Sequence, residues 1–277
     1  MDKDPYVVLT QQAEVPQIVG AEAAQITQAG NPFVFRTAFG QQFSMPKIAN
    51  YLHDGLKAKT VAVIWVNNDF GKGGHDSFVK EMEPRGIKVI ADLSTEQGQV
   101  DFASDVARLK SVKADSIFVY CNEEESARFL LEAKRQGLSS PLFGETTLLS
   151  QKVIDLVGFA ANGVRGHVGL TADAPIPAIQ EFAAKFNARF KYAPDHNGIK
   201  GYIAVYLVKY VTGKIGGFDR KAFALAMKGL TLKPDTSPGI LMEASWDQNG
   251  DIDRASFLAE IVDGKQNIVA ILPKLGK

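Results

Sequence analysis

From about residue 57 the chain alternates between short apolar runs and longer amphipathic stretches. "TVAVIWV" (60–66) is apolar throughout and predicts a buried strand. "GGHDSFVKEMEPRG" follows as a helix, with Phe78, Val79 and Met82 on one face and Pro84 and Gly86 closing it. "IKVIADLS", "DSIFVYC", "PLFGE" and "GVRGHVGL" read as further strands. The helices "VDFASDVARLKSV", "NEEESARFLLEAKRQGL" and "SQKVIDLVG" separate them. Runs apolar in their middle suit strands covered on both faces, so a doubly wound, parallel βαβ array from about 57 to about 170 is expected.

Both flanks differ. Ahead lie the short apolar segments "VPQIVG" and "NPFVFRT" and a helix "SMPKIANYLHDGL" with Pro46 in its first turn. Behind come three helical patterns, "IPAIQEFAAKFNARFKY", "GIKGYIAVYLVKYVTGK" and "DRKAFALAMKGL", then a strand-rich tail. The α/β fold is expected to form two lobes. A reduced first lobe takes 1–56 and 213–258, and a complete second lobe takes 57–212 and 259–277.

Composition narrows the function. Lys plus Arg and Asp plus Glu both total 31, so no net field draws the chain to nucleic acid or an anionic membrane. That balance suits a neutral or zwitterionic small ligand. The single cysteine, Cys121, excludes an internal disulfide and a cysteine-based zinc site. No run approaches the ~20 apolar residues of a membrane span. The opening residues show neither a charged leader nor an apolar leader core, which places any export signal outside them.

The motifs point away from catalysis. After "VAVIWV" come Gly71, Gly73 and Gly74, but neither the dinucleotide G-x-G-x-x-G nor the P-loop pattern is complete. The glycines read as a βα turn aiming Asn67, Asn68, Asp69 and Phe70 at the crevice beyond the strands' carboxyl ends. "SWDQNGDID" resembles a calcium loop, but Leu258 stands at its twelfth position, so an Asn-Gly hairpin is expected. His53, His75, His167 and His196 have no metal-ligand spacing and read as scattered surface histidines. Cys121 reads as a small buried hydrophobe, and no nucleophile elbow occurs. No metal, cofactor or enzymatic activity is expected. Glu22 and Glu145 each follow a strand, where ligand contacts and solvated loops are both found.

The ordered pieces "VPQIVGAEAAQIT", "FVFRT", "KTVAVIWVNNDFGKGG", "VDFASDVARLK", "ADSIFVYCNEEESARFLLEAKRQGL", "PLFGETTL", "NGVRGHVGL" and "SWDQNGDID" together resemble the solute-binding proteins of ATP-binding-cassette (ABC) transporters for branched-chain amino acids and amides. That resemblance implies the type I periplasmic binding fold, with a ligand held between two lobes. It implies a periplasmic location and a membrane permease as partner. Phe70 matches an aromatic cleft position that is commonly tyrosine, and Asn122 matches another that is usually aromatic. Glu145 matches the acid that receives a bound amino group. Gly20, Ala21 and Glu22 match the loop that holds an amino acid's carboxylate.

The chain departs from that pattern in two ways. Glu22 replaces a usual Thr or Ser, and a carboxylate beside a bound carboxylate repels unless protonated or paired, which weighs against simple amino-acid binding. "DPYVVL" runs straight into "TQQAEVPQ", as if the first βαβαβ block of the family were missing, so the first lobe is expected to be incomplete. A small amino acid, amide or related carboxylate is the expected ligand. A cytoplasmic amide or amino-acid sensor on the same fold, acting on a partner protein, is the alternative. A nucleotide-dependent enzyme rests only on the glycine turn.

Overall fold

The computed structural model describes residues 5–276. The chain divides into two compact units, one built from 1–43, 169–256 and 272–277, the other from 44–168 and 257–271.

The second of these units is a seven-stranded sheet. In chain order its parallel strands are Thr60–Val66, Lys88–Thr95, Ser116–Tyr120, Leu142–Gly144 and Arg165–Val168. Across the sheet Lys88–Thr95 comes first, then Thr60–Val66, Ser116–Tyr120, Leu142–Gly144 and Arg165–Val168. Ser256–Val262 adds on antiparallel, and Lys265–Leu272 forms the far edge. The apolar runs follow from burial on both faces. Ala62, Ile64, Val66, Ile117, Val119 and Cys121 join one core with Val106 and Leu109 of helix Ala103–Val112 and Phe129 and Leu130 of helix Glu123–Arg135. On the opposite face Phe118 stacks on Phe78 of helix Asp69–Met82 at 3.9 Å.

That helix begins earlier than the glycines suggest. Asn68 is its N-cap, accepting from the Gly71 N–H at 2.8 Å, so Gly71, Gly73 and Gly74 lie in its first turns. A Cβ on Gly71 would sit 1.7 Å from the Val66 carbonyl oxygen, and one on Gly74 2.0 Å from Tyr120 Cε1. The glycines let a helix lie directly against the sheet. Helix Gln41–Asn50 also starts sooner than expected, which puts Pro46 inside it and not in its first turn.

The other unit holds a two-stranded parallel sheet, Gln17–Val19 with Val34–Arg36. It also holds an antiparallel sheet of Thr231–Leu232, Ala244–Trp246 and Ile252–Arg254. The Asn249–Gly250 turn joins the last two strands, with Gly250 at φ 84°. Helices Pro177–Phe190, His196–Ile215 and Arg220–Met227 belong here. This differs from the lobe boundaries expected from sequence, which assigned residues 169–212 to the complete second lobe and placed the first crossing at 56 instead of 43. Helix His196–Ile215 packs on Arg220–Met227 and on the turn Pro238–Ile240, where a Cβ on Gly239 would meet the Tyr206 ring at 1.9 Å. Tertiary packing, not the local alternation, decides its unit. Among the described residues no helix is long and apolar enough to cross a membrane.

Candidate functional site

In the parallel-sheet unit the strand order reverses between Thr60–Val66 and Ser116–Tyr120. The chain steps from Thr60–Val66 to one side, then returns to its other side. Ligands of open α/β sheets bind beyond the strands' carboxyl ends at such a switch point. Phe70 follows the first of these strands and Asn122 the second; Glu145 follows the next strand over and His167 ends the one after it. The topology therefore gathers Phe70, Asn122 and Glu145 on one edge of the sheet.

Phe70 is partly buried and stacks on Tyr120, with ring centroids 4.4 Å apart at 23°. Tyr120 is fully buried and touches Phe118 in turn, so a ladder of rings runs from the core to Phe70. Asn122 occupies the N-cap of helix Glu123–Arg135, and its side chain makes no capping bond there. Glu145 is 2% exposed. Its Oε2 accepts from the Thr146 N–H at 2.7 Å, and its Oε1 lies 2.8 Å from Nδ1 of His167. An ionised carboxylate can only accept, so Nδ1 carries the donated proton. His167 is wholly buried, contrary to the expectation of a surface histidine, because its strand has neighbours on both sides.

The loop Gly20–Ala24 lies in the other unit, directly after strand Gln17–Val19. Arg36, on the adjoining strand, donates to the carbonyls of Ala21 and Ala23 and pairs with buried Asp251 at 2.7 Å. Asp251 also accepts from Thr27 Oγ1 at 2.6 Å, so the residue that suggested a calcium ligand belongs to a structural ion pair. Lys200 donates to the Gly20 carbonyl at 3.2 Å and to Glu22 Oε1 at 3.3 Å. With the Ala24 carbonyl, which Arg36 reaches at 3.3 Å, cations hold four carbonyls of this loop. Among the described residues the N–H groups of Ala21 and Ala23 make no hydrogen bond within the protein.

Glu22 is therefore paired, which removes the repulsion that its sequence position raised. Lys200 is the partner that sequence reading passed over. It sits in the apolar stripe of its helix with Ile203, Leu207 and Val211, all buried, and a lysine at such a place was the available signal. Other charges gather nearby. Burial pulls the Arg254 guanidinium down to about 9 against the attraction of Glu22 and Asp253. Arg254 also lies over the Phe39 ring, 5.0 Å from its centroid, and donates to the Thr37 carbonyl at 2.9 Å. Burial and the neighbouring Lys200 push His196 down to about 4, and this histidine is half-buried.

Cys121 ends its strand fully buried, and burial pushes its thiol up to about 12. It packs as a hydrophobe and is not available as a thiolate.

Comparison with known proteins bears on the family and the fold. Residues 5–266 match the periplasmic binding protein family. The leucine-, isoleucine-, valine-, threonine- and alanine-binding protein of Pseudomonas aeruginosa is 24% identical over 240 residues, covering 86% of this chain and 62% of that protein. The chain thus spans under two thirds of that relative's length. A solute-binding protein of an ABC transporter from R. palustris, solved with benzoate, superposes with a TM-score of 0.87 at 22% identity, covering 98% of this chain and 75% of that one. A second, from Rhodopseudomonas palustris BisB5 with 3,4-dihydroxybenzoic acid, gives 0.84 at 26% identity over 96% and 74%. The type I periplasmic binding fold expected from the sequence is the fold observed, and the chain belongs to the periplasmic binding protein family.

Proposed function

We propose that this chain is a solute-binding protein of an ABC importer, holding a small amino acid, amide or related carboxylate and delivering it unchanged to a membrane permease from the periplasm. One observation carries the reading: Phe70, Asn122 and Glu145 follow three adjacent parallel strands at the switch point of the sheet. An aromatic residue, an amide and a buried acid follow these strand ends, the mix of apolar wall and few polar groups that small-molecule sites use. In the other unit the loop Gly20–Glu22 stands beside Lys200, a cation suited to an acceptor group. Family membership supports the importer role and the periplasmic location. Similarity to an amino-acid binder and to two binders of benzoates supports the ligand class.

A thermal-shift screen tests the reading with amino acids, their amides and aromatic carboxylates as probes. A ligand at a hundred times its dissociation constant stabilises by ~2.7 kcal/mol, which raises the melting temperature visibly. At least one of the three classes is expected to do so. A melting temperature that no probe moves would contradict solute binding by this chain.

A further inference from the structure

We propose that His167 takes the place of a ligand ammonium group, so that the site selects carboxylates and amides lacking an α-amino group. The inference rests on the solute-binding reading and narrows its ligand class. Glu145 is the acid that the family resemblance assigns to a bound amino group, yet its own unit already supplies both carboxylate oxygens with donors. Nδ1 of His167 lies 2.8 Å from Oε1, and the Thr146 N–H donates to Oε2 at 2.7 Å. His167 and Glu145 are 0% and 2% exposed, so this is a built, desolvated pair and not a surface contact. A buried carboxylate needs one set of donors to repay its lost hydration, and a ligand ammonium would have to shed its own water to become a second.

The surrounding charges leave this pairing intact. On the strand carrying His167, the nearest charged residue is Arg165. It is bound to Glu260 at 2.8 Å and reaches the Tyr51 hydroxyl at 3.4 Å. On the antiparallel neighbour, apolar Leu258 faces His167.

The test is isothermal titration of the unmodified protein and of His167→Gln. The probes are matched pairs, L-leucine with 4-methylpentanoate and L-phenylalanine with 3-phenylpropanoate, plus 3-phenylpropanamide. The unmodified protein is expected to bind the amine-free member of a pair at least about tenfold tighter. Glutamine places its amide where Nε2 of the ring lies and not at Nδ1, so His167→Gln takes the donor away from Oε1 of Glu145 and is expected to shift the ratio toward the amino acid by about tenfold. A preference of the unmodified protein for the amino acids would overturn the proposal whether or not the variant folds. An unchanged ratio in a folded His167→Gln would overturn the assignment to His167. Absence of binding by every probe would overturn the solute-binding reading, and this proposal with it.

Discussion

Lys200 and Glu22, 178 residues apart in the chain, meet at 3.3 Å beside the loop Gly20–Ala24, with only 8% and 12% of their side chains exposed. The pair both secures the loop, through the Lys200 bond to the Gly20 carbonyl, and neutralises an acid at a position expected to face ligand. Glu22→Thr should therefore act in two directions. Leaving Lys200 without its acid should lower unfolding free energy by about 3 kcal/mol, near the low end for breaking a largely buried pair. The freed ammonium should at the same time tighten binding of carboxylate ligands. Denaturant melts and titration with benzoate measure the two effects, and weaker benzoate binding would rule out a carboxylate beside Glu22.

Asp251 is expected to be essential to the stability of its unit. It accepts from Arg36, Thr27 and Gln28, and neither it nor Arg36 has any exposed side chain. Asp251→Asn keeps the shape but leaves a buried guanidinium without its counter-charge, a change of about 3–5 kcal/mol. Urea unfolding reads the loss; a change below 1 kcal/mol would mean that solvent reaches the pair.

Two glycines should respond to alanine with opposite signs. Gly71→Ala would drive a methyl group into the Val66 carbonyl at 1.7 Å, and backbone on backbone cannot yield cheaply. Gly213, inside helix His196–Ile215, has nothing within 4 Å of the added carbon. Gly213→Ala should stabilise by roughly 0.5–1 kcal/mol, whereas Gly71→Ala should cost several times that. Equal effects would refute the close approach of helix Asp69–Met82 to the sheet.

His196 should give the protein an acid-side dependence. Its folded pKa of about 4 lies below the ordinary 6.5, so between these values the unfolded chain binds the extra proton. Its contribution to stability is complete above about pH 6.5 and falls by about 1.4 kcal/mol per unit as pH drops toward 4. Unfolding of His196→Asn between pH 4 and 7 should show a correspondingly shallower slope. Identical slopes for the two proteins would place the histidine in solvent.

The parallel array was legible because both faces of its central strands are buried, which makes them continuous apolar runs such as 61–66 and 117–121. The helix after the first run was placed too late, since Gly71 to Gly74 look like a turn until Tyr120 and the Val66 carbonyl are seen against them. Lobe boundaries were less legible. Helices Pro177–Phe190 and His196–Ile215 follow one another with no strand between them, and only their packing assigns them. Candidate positions at strand ends could be named from order along the chain. Their partners could not, because Lys200 and His167 meet Glu22 and Glu145 through the fold, and no local periodicity encodes those pairings.

Equilibrium dialysis with recovery of the solute tests the central claim most directly. A member of the amino-acid, amide or aromatic-carboxylate classes should bind one per chain, saturably, and be recovered chemically unchanged after prolonged incubation. Chemical conversion of the solute, or no saturable binding across all three classes, would contradict the account.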